Sequence, residues 1–431
     1  MDEGAKGIAL VALGETNKSE NTDANPSTES SRCLRGLVAL VCFLISCSLG
    51  VVLAGSYLVK PVQRSCPEWK ESTTVIGEAV MVSLIGLAAI PQGELVRFWS
   101  SRTFFFTGIL LYATGFGVGG VAVATCKDGT HLTRGFYILS FAVLGVAFGF
   151  PFRACIDLLI VYFPRRPKGG IAFVSIGISI GAILFDQFFL AMKKFADSDA
   201  IDTSTIFFTA GALGILISIP GLCLPRQTSK RARNSETKTV TLVFTKTYYL
   251  LVFIRTSFML PGFGLLSRQD AFLTDLWPEE TPLASLAAIA QICYLASQIV
   301  AMLLVDKIAP STLLICFSAL QALCLAFMPL LLGSQYVGIA VYSLFSFSFG
   351  FQKAMGGAIA AEIYGVEVAS KGALQLIVAY SIAGLFGPLI MQAMHSHWSD
   401  FKPFIYFSQG LVLVGYLSLV AFCSFRSRKS S

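Results

Sequence analysis

Charge is scarce in this chain. Only 13% of its 431 residues are Asp, Glu, Lys or Arg, about half the share of a soluble domain, while 55% are hydrophobic. Such a composition excludes an ordinary water-soluble enzyme. Histidine is scarcer still, with His131, His395 and His397 the whole supply. No CxxC pair or Cys/His cluster at ligand spacing occurs, so no metal site is expected. Also missing are a glycine-rich phosphate loop with its Lys-Ser/Thr, a nucleophile elbow and an HExxH helix. Neither ATP-driven pumping nor hydrolysis is anticipated, and no cofactor. Residues 1–33 lack a basic start followed by an apolar core, so they are not a signal peptide. They are polar and read as a disordered cytoplasmic tail, with acids such as Glu15, Glu20 and Asp23 arguing against a transit sequence.

Long apolar runs fill the rest. Twelve recur, at roughly 34–58, 74–96, 103–125, 135–161, 170–192, 204–224, 247–266, 283–305, 309–332, 336–361, 372–394 and 402–424. Each is about 20 residues or more, the length that crosses hydrocarbon as a helix. Backbone groups in lipid must be satisfied within the segment, which makes all twelve helices and the chain all-α. Twenty of the 32 Lys and Arg fall on one side of these spans and nine on the other. The richer side is the cytoplasm, which puts both termini inside. The net charge of +7 sits in short clusters between spans and points to lipid headgroups, with no nucleic-acid partner.

Residues 225–246, "PRQTSKRARNSETKTVTLVFTK", form the long inner connection. They divide the chain into six-helix halves, 34–224 and 247–424, with 425–431 as a short cytoplasmic end. Nine of eleven cysteines lie in apolar runs or on the inner side; Cys66 and Cys126 fall in outer loops, where either a bridge or two free thiols is open.

"IPQGELVRFWSSR", Ile90 to Arg102, resembles the loop signature G-x-L-x-D-R-x-G-R-R of the major facilitator superfamily. Gly93, Leu95 and Arg102 match in register, whereas Arg97 stands where that family has Asp. "LLVDKIAP" repeats the theme in the second half with Asp306 and Lys307. The resemblance implies twelve helices in two halves rocking about a midplane site. Gly177 and Gly181 are four apart and suit a tight helix crossing. "GGAIAAEIYGVEVASKGALQLIVAYSIAGLF", Gly356 to Phe386, is similar to the sodium-independent L-type neutral amino-acid transporters and their apicomplexan relatives. Ile254-Arg255 with Phe258 resembles a Leu-Arg then Phe in span seven of the same branch. Weaker similarity extends to monocarboxylate and organic-anion carriers.

Ionisable residues inside spans are candidates for function. Arg255 offers a planar fork that matches a carboxylate, against the plainer readings of a structural pair or a side chain snorkelling inward. Arg153 and Asp157, four apart on one helix face, are expected to pair with each other. Asp186 is the preferred partner for an ammonium. Glu78 is a further acid, and Lys353 a second candidate for an anion. Tyr57, Gln291, Tyr294, Gln298, Gln375 and Tyr380 supply polar edges. The expected activity is transport of a small nutrient, foremost an amino acid, by a monomer in the lipid bilayer, with the plasma membrane as default location. The alternatives are a proton-coupled monocarboxylate or other organic-anion carrier, a carrier of an uncharged solute, and a transporter-like nutrient receptor.

Overall fold

The computed structural model describes residues 28–51, 54, 58–95, 98–126, 131–163, 167–197, 202–224, 246–269, 272–273, 283–331, 335–364 and 377–430. No strand occurs among them. The first half contains α1 (Thr28–Leu49), a short outer helix α2 (Val59–Ser65), α3 (Glu71–Leu95), α4 (Ser101–Ala124), α5 (His131–Tyr162), α6 (Pro167–Asp197) and α7 (Thr203–Ser218), which a 3-10 turn prolongs to Cys223. The second half contains α8 (Lys246–Ser267), α9 (Leu283–Leu304), α10 (Pro310–Leu331), α11 (Gln335–Ala354), α12 (Gly356–Tyr364), α13 (Val378–Trp398) and α14 (Lys402–Ser430).

All twelve apolar runs are therefore helical where they are described. Among the described residues, eight helices are long and apolar enough to cross a membrane, whereas α1, α3 and α9 carry shorter apolar stretches and the tenth run is split into α11 and α12. Three boundaries depart from expectation. The first helix opens at Thr28, inside the segment read as tail, and closes at Leu49 rather than 58. The last continues to Ser430 through residues read as a free C-terminus. Polar residues at a helix end cost little where the helix leaves hydrocarbon, so hydropathy places such ends poorly. The central loop lies outside the described residues, save for Lys246, which opens α8.

Each half has its own core. Phe105, Tyr137, Phe189 and Phe207 fill the first, and Phe258, Phe345, Phe349 and Phe404 the second. Lipid is as apolar as leucine, so close contact must hold helices together. Gly181 shows the device: a Cβ there would lie 1.9 Å from the carbonyl oxygen of Cys47, letting α6 cross α1 backbone to backbone. A Cβ on Gly177 would come within 2.6 Å of Ser46 in the same crossing. The halves meet along two seams, α3 with α13 and α6 with α9. In the first, a Cβ on Gly86 would stand 2.1 Å from Ser381 Oγ and 2.5 Å from the Ile377 carbonyl, so the inner side is closed by direct packing. On the outer side Cys66 and Cys126 are bridged, tying the end of α2 to the end of α4.

Candidate functional site

The tenth span is interrupted at Met355. The Met355 N–H still reaches the Phe351 carbonyl at 3.2 Å and the Ile359 N–H the Met355 carbonyl at 3.0 Å, so the interruption is a local distortion, and any carbonyl it loosens in hydrocarbon needs a donor from another helix. Two helices supply one. The Gln352 carbonyl accepts Nη1 of Arg255, from α8, at 3.1 Å, as well as the Met355 N–H at 3.3 Å. The Lys353 carbonyl accepts the Tyr380 hydroxyl, from α13, at 2.9 Å. The negative end of the α11 dipole favours a cation there.

Arg255 is only 2% exposed, so the side chain does not snorkel to the inner surface. No acid among the described residues pairs with it. Its carbon Cζ lies 5.8 Å from the Tyr380 ring centre, and its Nε and Nη2 are buried with no aligned hydrogen bond. Gly356 makes the room: a Cβ there would fall 3.0 Å from Nη2. The Ile254-Arg255 and Gly356-Gly357 segments, read separately in the sequence, thus meet in space.

A cavity of about 60 Å³ lies between the halves, reaching from Ser179 and Lys353 at mid-depth to Leu266 and Gln269 at the outer end. That volume holds roughly four to six waters on a measure where one needs about 10–15 Å³. Lys353 comes from the second half, with Nζ 5.4 Å from the Tyr294 ring centre and no hydrogen bond or ion pair among the described residues. Glu78 comes from the first half; its Oε2 is buried without a hydrogen-bond partner. Arg268, just past the end of α8, is close enough to attract it, and donates to Gln392 on α13. Phe263, Tyr294 and Phe349 provide the aromatic wall.

Asp186 lies in the α6–α9 seam, bonded to the cavity residue Gln291. Its Oδ2 accepts the Gln291 side-chain amide across the α6–α9 seam, and Oδ1 is buried without a partner. Ser179 Oγ donates to Gln298 Oε1 at 2.8 Å in the same seam. On antiparallel helices the two pairs share one heptad spacing, so they zip a single line of contact.

Other candidates take other places. Arg153 Nε donates to Asp157 Oδ2 at 2.8 Å within α5, away from the cavity. Glu362 accepts both the N–H and the hydroxyl of Ser311, at 2.9 Å and 2.8 Å, which caps α10. Gly93 lies in the last turn of α3, Arg102 Nε donates to the Leu224 carbonyl at 2.8 Å, and Asp306 and Lys307 are exposed in the turn after α9. Tyr57, Arg97 and Gln375 lie outside the described residues. Sequence reasoning missed Ser179, Phe263, Gln269 and Phe349 as cavity residues, since each is unremarkable on its own helix. Arg255 and Asp186, expected to share one solute, are not among the residues that line this cavity, whereas Lys353 and Glu78 are.

No protein-family model and no curated protein matches the chain. Solved structures do. FucP, a fucose:proton symporter of E. coli captured in an outward conformation, superposes with a TM-score of 0.64 at 16% identity, over 90% of this chain and 99% of that one. The proton:xylose symporter XylE gives 0.72 at 13%, over 91% and 96%. The human organic anion transporter MFSD10 gives 0.66 at 12%, over 92% and 100%. The chain has the major facilitator fold.

Proposed function

We propose that the chain carries a small organic solute across a membrane by alternating access, and that the solute is an amino acid. The observation that carries this reading is the pair of opposite charges on one cavity, Lys353 from the second half and Glu78 from the first. A zwitterion satisfies both. Its carboxylate meets Lys353, its ammonium meets Glu78, with Asp186 held in reserve behind Gln291, and its side chain packs on Phe263, Tyr294 and Phe349. A solute touching both halves has different contacts in each state, which is what lets it shift their populations. The cavity is too tight for the solute, so binding requires the halves to part along the seams. Gly86 packs its seam without directional bonds, which suits such motion.

The test is uptake of labelled leucine and arginine into proteoliposomes, competed by all twenty amino acids, pyruvate and lactate. Competition by amino acids supports the proposal; indifference to every one of them sinks it. A second reading, an organic-anion or proton-coupled monocarboxylate carrier, draws on Lys353 and Arg255, two intramembrane cations without an acidic partner among the described residues. Competition by pyruvate or lactate alone selects it. The fucose, xylose and organic-anion cargoes of the structural neighbours show that this fold accommodates diverse solutes. We place the chain as a monomer in the plasma membrane; the bridged Cys66 and Cys126 fit an oxidising outer side.

A further inference from the structure

Arg255 uses its guanidinium unevenly. Nη1 holds the Gln352 carbonyl at 3.1 Å, while Nε and Nη2 are buried with Tyr380 as neighbour and no acidic partner among the described residues. Those two nitrogens form one edge of the plane, with parallel N–H bonds. It is the edge that grips both oxygens of a carboxylate. A cation serving only as a cap needs one donor, which lysine would supply more cheaply. Keeping an unpaired guanidinium in hydrocarbon is costly, and intramembrane charges normally pair or line a pathway.

We propose that Arg255 is a second, inner carboxylate site on the transport path, one step beyond Lys353. The inference rests on the carrier reading above and adds a hand-over to it. Lys353 lies on the cavity side of the α11–α12 break, and Arg255 sits against Gly356 just past that break. In the present state the free edge is closed off by Gly356 and by Tyr380, whose ring centre is 5.8 Å from Cζ. Tyr380 belongs to α13, the helix packed on α3 in the inner seam. Tyr380 and Arg255 share the second half, where α13 packs on α8 as well, so uncovering the fork requires Tyr380 to turn away from the Lys353 carbonyl. The solute's carboxylate passes from an ammonium that holds it loosely to a guanidinium that holds it in two places. The Gln352 and Tyr380 bonds fix the position of both cations on either side of the break.

The test is thermal stabilisation of the full-length purified protein by the twenty amino acids, pyruvate and lactate, each beside its amide. Wild type should be stabilised by a carboxylate and not by the matching amide. Arg255→Lys keeps a cation for the Gln352 carbonyl but lacks the fork; it should keep the ligand-free melting temperature and need at least tenfold more ligand. Gly356→Ala leaves Arg255 untouched and crowds Nη2, so it should need several-fold more, and it decides the matter if Arg255→Lys fails to fold. Wild-type binding by both variants, with loss only in Lys353→Gln, overturns the inner site and leaves the cavity reading intact. Loss in Arg255→Lys and Gly356→Ala with none in Lys353→Gln supports the inner site and removes Lys353 from the path. Stabilisation by no carboxylate overturns both.

Discussion

Arg153 in the first half and Arg255 in the second are the two arginines buried deepest among the described residues, ahead of Arg268 at 5% exposure, and the halves treat them differently. Arg153 on α5 is 4% exposed and Arg255 on α8 is 2% exposed, so both have left water almost entirely. Arg153 is neutralised one turn away by Asp157 on its own helix. Arg255 has a carbonyl, an aromatic ring and a glycine for company. Desolvating a cation costs several kcal/mol even after relaxation, and an ion pair recovers much of that. The first half closes its account internally. The second leaves Arg255 with no acidic partner among the described residues, which is what the proposed carboxylate site requires.

Replacing Arg255 by Leu should have the largest effect. It removes charge-assisted bonds of about 1.5–3 kcal/mol each, so uptake into proteoliposomes should fall about 100-fold or more. Asp157→Leu should break the contrast from the other side. It strips Arg153 of its carboxylate and should cost about 2 kcal/mol of stability, seen as a lower melting temperature in detergent. The double replacement Arg153→Leu with Asp157→Leu should recover to within about 1 kcal/mol of wild type, and uptake per folded molecule should persist. Lys353→Gln should raise the half-saturating concentration about tenfold, the worth of roughly 1.4 kcal/mol, with a smaller effect on maximal rate. Ser179→Ala should have the smallest effect, about 1 kcal/mol or less, by loosening the α6–α9 seam through its bond to Gln298.

What the sequence revealed follows the same division. Arg153 and Asp157 were legible as a pair because four residues of helix fix their geometry before any folding question arises. The spans were legible because hydrocarbon thickness dictates their length. The helix crossing at Gly181 was legible from glycine spacing, though its partner Cys47 was not. The α6–α9 pairs were out of reach: Asp186 and Gln291 are 105 residues apart, Ser179 and Gln298 are 119 apart, and no local pattern sets their register. The break at Met355 was hidden as well, since two adjacent glycines in a span read equally as helix packing. Arg255 was visible as an oddity, but its role as a cap on α11 needed the three-dimensional arrangement.

The sharpest measurement compares conservative changes at the two arginines. Initial uptake of whichever solute wild type takes up fastest in the competition screen should be measured for Arg255→Lys and Arg153→Lys, reconstituted at equal density. Arg153→Lys should stay within about twofold of wild type, because lysine still pairs with Asp157. Arg255→Lys should lose at least about tenfold, because an ammonium lacks the fork. Equal rates in the two variants would contradict the account, leaving Arg255 as nothing more than a helix cap.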